Sequence, residues 1–96
     1  MTRSRSVTFQ RAPLSAGVLT PVTPERSSTG VVVVNGTPGD VEVHSNDEDD
    51  GHYIIIAAGF ERTLPKLHDN GTNYTETKAA FWLRATQDGT VMLLWT

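Results

Sequence analysis

Ala79-Ala80-Phe81-Trp82-Leu83-Arg84-Ala85-Thr86-Gln87-Asp88-Gly89-Thr90-Val91-Met92-Leu93-Leu94-Trp95 is the stretch on which the fold turns, and it carries both tryptophans and one of the three phenylalanines. Two short runs rich in aromatic and aliphatic residues flank Asp88-Gly89, and that arrangement predicts a β-hairpin. Side chains alternate along a strand. On the first run Phe81, Leu83 and Ala85 therefore share one face, and Trp82, Arg84 and Thr86 the other. On the second, Val91, Leu93 and Trp95 oppose Met92 and Leu94. This strand is apolar on both faces, as a central strand between two layers is. Its cover has to come from earlier in the chain or from another molecule.

Upstream, the same strand grammar repeats. His52-Tyr53-Ile54-Ile55-Ile56-Ala57 is a second run apolar on both faces, broken by Gly59, and Phe60-Glu61-Arg62-Thr63-Leu64 reads as a further strand before Pro65. Asp40-Val41-Glu42-Val43-His44 alternates, with the valines inward and Glu42 and His44 outward. Val31-Val32-Val33-Val34 is a β-branched run closed by Asn35-Gly36. Residues 66–78 form a long polar connection. No segment of about ten residues shows the apolar spacing of a helix. Short strands separated by Gly, Asn, Asp and Pro turns predict an all-β chain. The expected architecture is a small antiparallel β-sandwich or jelly-roll-like barrel of six to eight strands with an extended N-terminal arm.

The arm is expected over residues 1–30 and the sandwich body over 31–96. Pro13, Pro21 and Pro24 forbid a long helix and a central strand in the leader. Val7-Thr8-Phe9-Gln10 and Gly17-Val18-Leu19-Thr20 have at most the makings of edge strands. Residues 1–30 hold four arginines against Glu25 alone, whereas residues 31–96 hold four cations against ten acids, so the net charge of −3 hides a basic leader on an acidic body. Such an asymmetry points to contact between the leader and something acidic. Arg3, Arg5, Val7, Phe9, Arg11, Leu14, Val18 and Leu19 are the residues expected to make that contact.

Ninety-six residues make one domain whose core is marginal, because a chain this short buries only about 60–65% of its unfolded surface. The usual reinforcements are disulfides, metal or association, and with no cysteine, disulfides and thiol catalysis are excluded. No apolar run approaches the roughly 20 residues of a membrane helix, and the N-terminus lacks the apolar core of a signal peptide.

Candidate chemistry is sparse. The acidic loop Asn46-Asp47-Glu48-Asp49-Asp50-Gly51 matches the start of a calcium loop, but Ala57 stands where a bidentate Glu is needed. Asp47, Asp49 and Asp50 are weak metal candidates, and a solvated hairpin tip is the preferred reading. His44, His52 and His68 lack zinc spacing; His44 and His52 approach each other only if their strands pair, and surface histidines are the preferred reading. The serines cluster in the leader, and no nucleophile elbow or phosphate-cradling glycine loop is present. No catalytic set and no cofactor are expected. The three Asn-x-Thr matches at Asn35, Asn70 and Asn73 read as turn chemistry. Tyr53, Trp82 and Arg84 form a possible ligand platform, for a sugar or another subunit. The acidic body argues against nucleic acid.

Three segments, Tyr53-Ile54-Ile55-Ile56-Ala57-Ala58-Gly59-Phe60, Ala80-Phe81-Trp82-Leu83-Arg84-Ala85 and Thr90-Val91-Met92-Leu93-Leu94-Trp95, together resemble the small β-sandwich structural proteins of tailed bacteriophage particles. The resemblance covers roughly the last 45 residues, and it implies a non-enzymatic virion protein present in many copies. A capsid decoration or cement protein is the leading expectation, bound to the shell by its arm and sheet edges, with the major capsid protein or copies of itself as partners. A head–tail junction or head-fibre adaptor is one alternative. A carbohydrate- or calcium-binding module is the other.

Overall fold

The computed structural model describes residues 8–25, 28, 30–47, 51, 53–64 and 79–96. Eight strands appear in order: β1 (Thr8–Leu14), β2 (Thr20–Val22), β3 (Val31–Asn35), β4 (Val41–His44), β5 (Tyr53–Ile56), β6 (Glu61–Leu64), β7 (Phe81–Ala85) and β8 (Gly89–Trp95). They build two four-stranded sheets, β1-β8-β3-β6 and β2-β7-β4-β5, and every pairing is antiparallel. Strand 1 pairs with 8, 2 with 7, 3 with 6 and 4 with 5. That nesting is one long hairpin rolled over itself, which makes the sandwich a jelly roll. The all-β expectation and its eight-strand upper bound hold.

Three expectations are corrected. The terminal stretch is not a hairpin, because β7 lies in the second sheet beside β2 and β4 while β8 lies in the first beside β1 and β3. An Asp-Gly hairpin needs its glycine at positive φ, and Gly89 is not among the positive-φ residues. Gly89 is instead the first residue of β8, where a Cβ would stand 2.8 Å from the Cβ of Thr37. Thr86 to Asp88 form a corner between sheets, tied down where the Thr86 amide donates to the Asp40 carbonyl at 3.0 Å and the Ala16 amide donates to Asp88 Oδ1 at 2.7 Å.

The boundary at residue 31 fails too, since the described part of the leader is sandwich. All seven residues of β1 register with β8, from Thr8 opposite Trp95 to Leu14 opposite Gly89, and β2 registers with β7. Leu14 and Val22 sit in the core. Pro13 and Pro21 did not prevent this because β1 and β2 are margin strands, whose outer edge needs no amide donor. Arg3, Arg5 and Val7 lie outside the described residues. Thirdly, β5 is a margin strand rather than a covered one.

The core lies between the sheets. Val31, Val33, Val41, Leu83, Val91, Leu93 and Trp95 are almost fully withdrawn from water. Each such side chain contributes about 1.5–3 kcal/mol by burial. Trp95 closes one end, its ring centroid 5.9 Å from that of Phe81 and its indole N–H donating to Gln10 Oε1 at 2.7 Å. At the other end Asn35, itself buried, donates from Nδ2 to the carbonyls of Gly39 and Ile56, and its Oδ1 accepts from the amide and hydroxyl of Thr37. Asn35 of the first Asn-x-Thr match is thus a structural tie across the sandwich, in keeping with turn chemistry. Asn70 and Asn73 lie outside the described residues.

Candidate functional site

The region that combines unusual chemistry with exposure is the β5 side of the second sheet. Register aligns Pro21, Trp82, His44 and Tyr53 in one row across its four strands. A second row on that face runs Arg84, Glu42, Ile55. The structure therefore gathers the three residues of the expected platform, Tyr53, Trp82 and Arg84, on one outer face. His44 and Glu42, which the expectation left as incidental surface groups, lie between them.

His44 is 0% exposed, which corrects its reading as a surface histidine. Its ring stacks on Tyr53 with centroids 4.8 Å apart at 28°. Nε2 lies 2.8 Å from Glu42 Oε1. An ionised carboxylate only accepts hydrogen bonds, so Nε2 carries the proton and donates. Nδ1 is buried with no partner among the described residues. The same Glu42 oxygen accepts from Arg84 Nε at 2.9 Å and Nη2 at 2.7 Å. One carboxylate oxygen thus holds a histidine and an arginine from two neighbouring strands. The cluster is a clasp: one oxygen of its carboxylate is already engaged three times over, and its imidazole has no surface on which to meet a substrate.

Beyond the clasp the sheet ends openly. Tyr53 and Ile54 are exposed, Ile55 is 52% exposed, and Phe60 just past the strand is 67% exposed. Strand β5 pairs with β4 on one side and with no described strand on the other. The turn from β5 to β6 is tight: the Phe60 amide donates to the Ala57 carbonyl at 3.0 Å, and Gly59 has φ +80°, which a residue with a side chain adopts at a cost. An open cleft of about 400 Å³ runs along this turn, lined by Ile55, Ile56, Ala57, Phe60, Glu61 and Arg62. A backbone edge that no described strand pairs therefore stands next to a hollow walled by Ile55, Ile56 and Phe60 on one side and Glu61 and Arg62 on the other.

The residues expected to contact a partner scatter. Phe9 and Arg11 are exposed on the outside of the first sheet, Val18 is exposed and Leu19 half-buried between β1 and β2. Leu14 is 4% exposed and belongs to the core, so it contacts no partner. Asp47 is exposed beyond β4, while Asp49, Asp50, His52 and His68 lie outside the described residues. Among the described residues no three His, Asp or Glu side chains gather as a metal site requires. No helix among them is long and apolar enough to cross a membrane. Comparison of the sequence with protein-family models and with curated proteins found no match.

Proposed function

We propose that this chain is a non-enzymatic structural subunit of a tailed-bacteriophage particle, a capsid decoration or cement protein, and that it docks by accepting a partner's strand on β5. The observation that carries the docking step is the β5 margin, which no described strand pairs and which is apolar along Tyr53, Ile54 and Ile55. Strand addition supplies main-chain hydrogen bonds for affinity and side-chain pockets for choice of partner, and the Ile55–Phe60 cleft supplies the pocket. Soluble proteins blunt open edges with charge or proline. Here β1 and β2 carry Pro13 and Pro21, and β5 carries neither proline nor charge. The sealed state of His44 and the engagement of Glu42 Oε1 by His44 and Arg84 support a role without catalysis. Placement on a phage shell rests on the likeness of the 53–60, 80–85 and 90–95 segments, and jelly rolls are common among viral coat domains. The partner is the major capsid protein or another virion protein. Head–tail junction and fibre attachment are variants of the same assignment.

The test is co-sedimentation with tailed-phage shells stripped of accessory proteins. Wild type should bind saturably, and Ile55→Lys should lose at least tenfold in affinity while keeping its thermal midpoint, because a desolvated lysine on a pairing edge is costly. Shells that take up neither form sink the virion assignment.

A second reading, a sugar-binding module, is favoured by the Trp82–His44–Tyr53 row, but the ring of Tyr53 already spends one face on His44. A glycan array with and without EDTA decides it, and a blank array retires it.

A further inference from the structure

The outer face of the first sheet is the other large apolar surface. Register sets Phe9, Leu94, Val32 and Thr63 in one row across it. The adjacent row reads Arg11, Met92, Val34, Glu61. Phe9 is 64% exposed, and Val32, Val34, Met92 and Leu94 are each half-buried. Arg11 and Glu61 are the only charged residues on this face among those described, and they stand at opposite ends of one row. Three strand spacings of about 4.8 Å hold them roughly 14 Å apart, too far to pair within the molecule.

We infer that this face docks on the same face of a second copy of the chain, about a two-fold axis parallel to the strands and lying between β8 and β3. That operation exchanges β1 with β6 and β8 with β3. Arg11 then faces the partner copy's Glu61, and Glu61 faces its Arg11. Met92 meets Val34, and Leu94 meets Val32. Rotation about any other in-plane direction loses this match: an axis across the strands sets Arg11 over Arg11. Charge thus selects one orientation out of an otherwise featureless apolar plane, which is the part rim charges play in interfaces. Sheets stacked face to face sit about 10 Å apart at about 30°, a twist that flexible arginine and glutamate side chains span. Four strands of four to seven residues present roughly 400 Å² per copy. At about 800 Å² in total the pair falls below the standard size and among weak, transient contacts, so the dimer forms only at high concentration.

This inference deepens the assembly reading and rests on it for its biological role, while the self-association is measurable without any shell. Sedimentation equilibrium of the full chain over a concentration series should show a monomer–dimer equilibrium. Arg11→Glu and Glu61→Arg, each placing two like-charge pairs in the dimer, should each weaken it about tenfold or more. The double variant should recover to within about threefold of wild type. Leu94→Asp should abolish the dimer and leave shell binding to the β5 margin intact. A chain that stays monomeric throughout overturns the proposal, as does a dimer indifferent to the single charge reversals. A dimer lost on Ile55→Lys but kept in Leu94→Asp would also overturn it, assigning self-association to β5. Circular dichroism of each variant confirms the fold, and the exposed Arg11 and Glu61 changes keep the test decisive should Leu94→Asp unfold.

Discussion

The two flanks of this sandwich are built to opposite specifications. On one, β1 and β2 close the sheets: Leu14 and Val22 turn into the core, Gln10 accepts from the Trp95 indole, and each strand carries a proline that removes an edge donor. On the other, β5 and β6 meet in a tight turn and leave Tyr53, Ile54, Ile55 and Phe60 to solvent. Both flanks are sheet margins, so exposure of the apolar side chains is not forced by position. The contrast shows that edge protection here is selective. One margin has its backbone edge capped by prolines, although Phe9 and Val18 remain exposed beside it, and the other carries no such device.

Deleting residues 1–22 breaks the comparison hardest. It removes both sealed margin strands with two core side chains and bares β7 and β8, so no cooperative thermal transition should remain by circular dichroism. A truncated chain that melts cooperatively would return those residues to the status of an arm. Next comes a matched pair of truncations. Leu14→Ala should cost about 2–4 kcal/mol in urea unfolding, as large-to-small core changes do, and Ile55→Ala about 0.5 kcal/mol, as exposed changes do. Equal costs would mean that the β5 flank is as much core as the β1 flank. Asn35→Ala should cost about 2 kcal/mol, since it strands the carbonyls of Gly39 and Ile56 and the Thr37 amide; faster amide exchange confined to β5 and its turn would locate the damage. Smallest is Pro21→Thr, expected to change stability by about 0.5 kcal/mol or less. It restores a donor to β2, so larger species should appear in light scattering. Unchanged mass would show that the proline is not what keeps that margin closed.

Periodicity made most strands legible. Val31–Asn35, Val41–His44, Tyr53–Ile56 and Glu61–Leu64 lie where their runs of β-branched and alternating residues stand in the sequence. What alternation does not carry is which strand sits next to which. Asp88-Gly89 reads locally as a hairpin turn, and only the nearness of Thr37, fifty-two positions upstream, reveals why a glycine is needed. The prolines of the leader were misleading for the same reason, because a proline excludes a strand from the interior of a sheet and says nothing against its margin. Tyr53-Ile54-Ile55-Ile56 has the composition of a doubly covered strand, and composition cannot report that the cover is missing. The platform residues were legible as an aromatic and cationic set. The clasp between them was not, since Glu42 and His44 two apart on a strand signal only a shared face.

The nested pairing also fixes an order of events during synthesis. Strand β4 finds β5 across a short loop, but the one described strand that β1 pairs with is residues 89–95, at the far end of the described chain. Ribosomes add roughly 5–20 residues per second, so Thr8–Leu14 waits several seconds before its strand partner exists. Long-range closure of this kind makes for slow folding. A nascent chain therefore spends that interval with an unpaired strand carrying Phe9 and Leu14, and its yield in a cell should depend on chaperones that hold such segments apart.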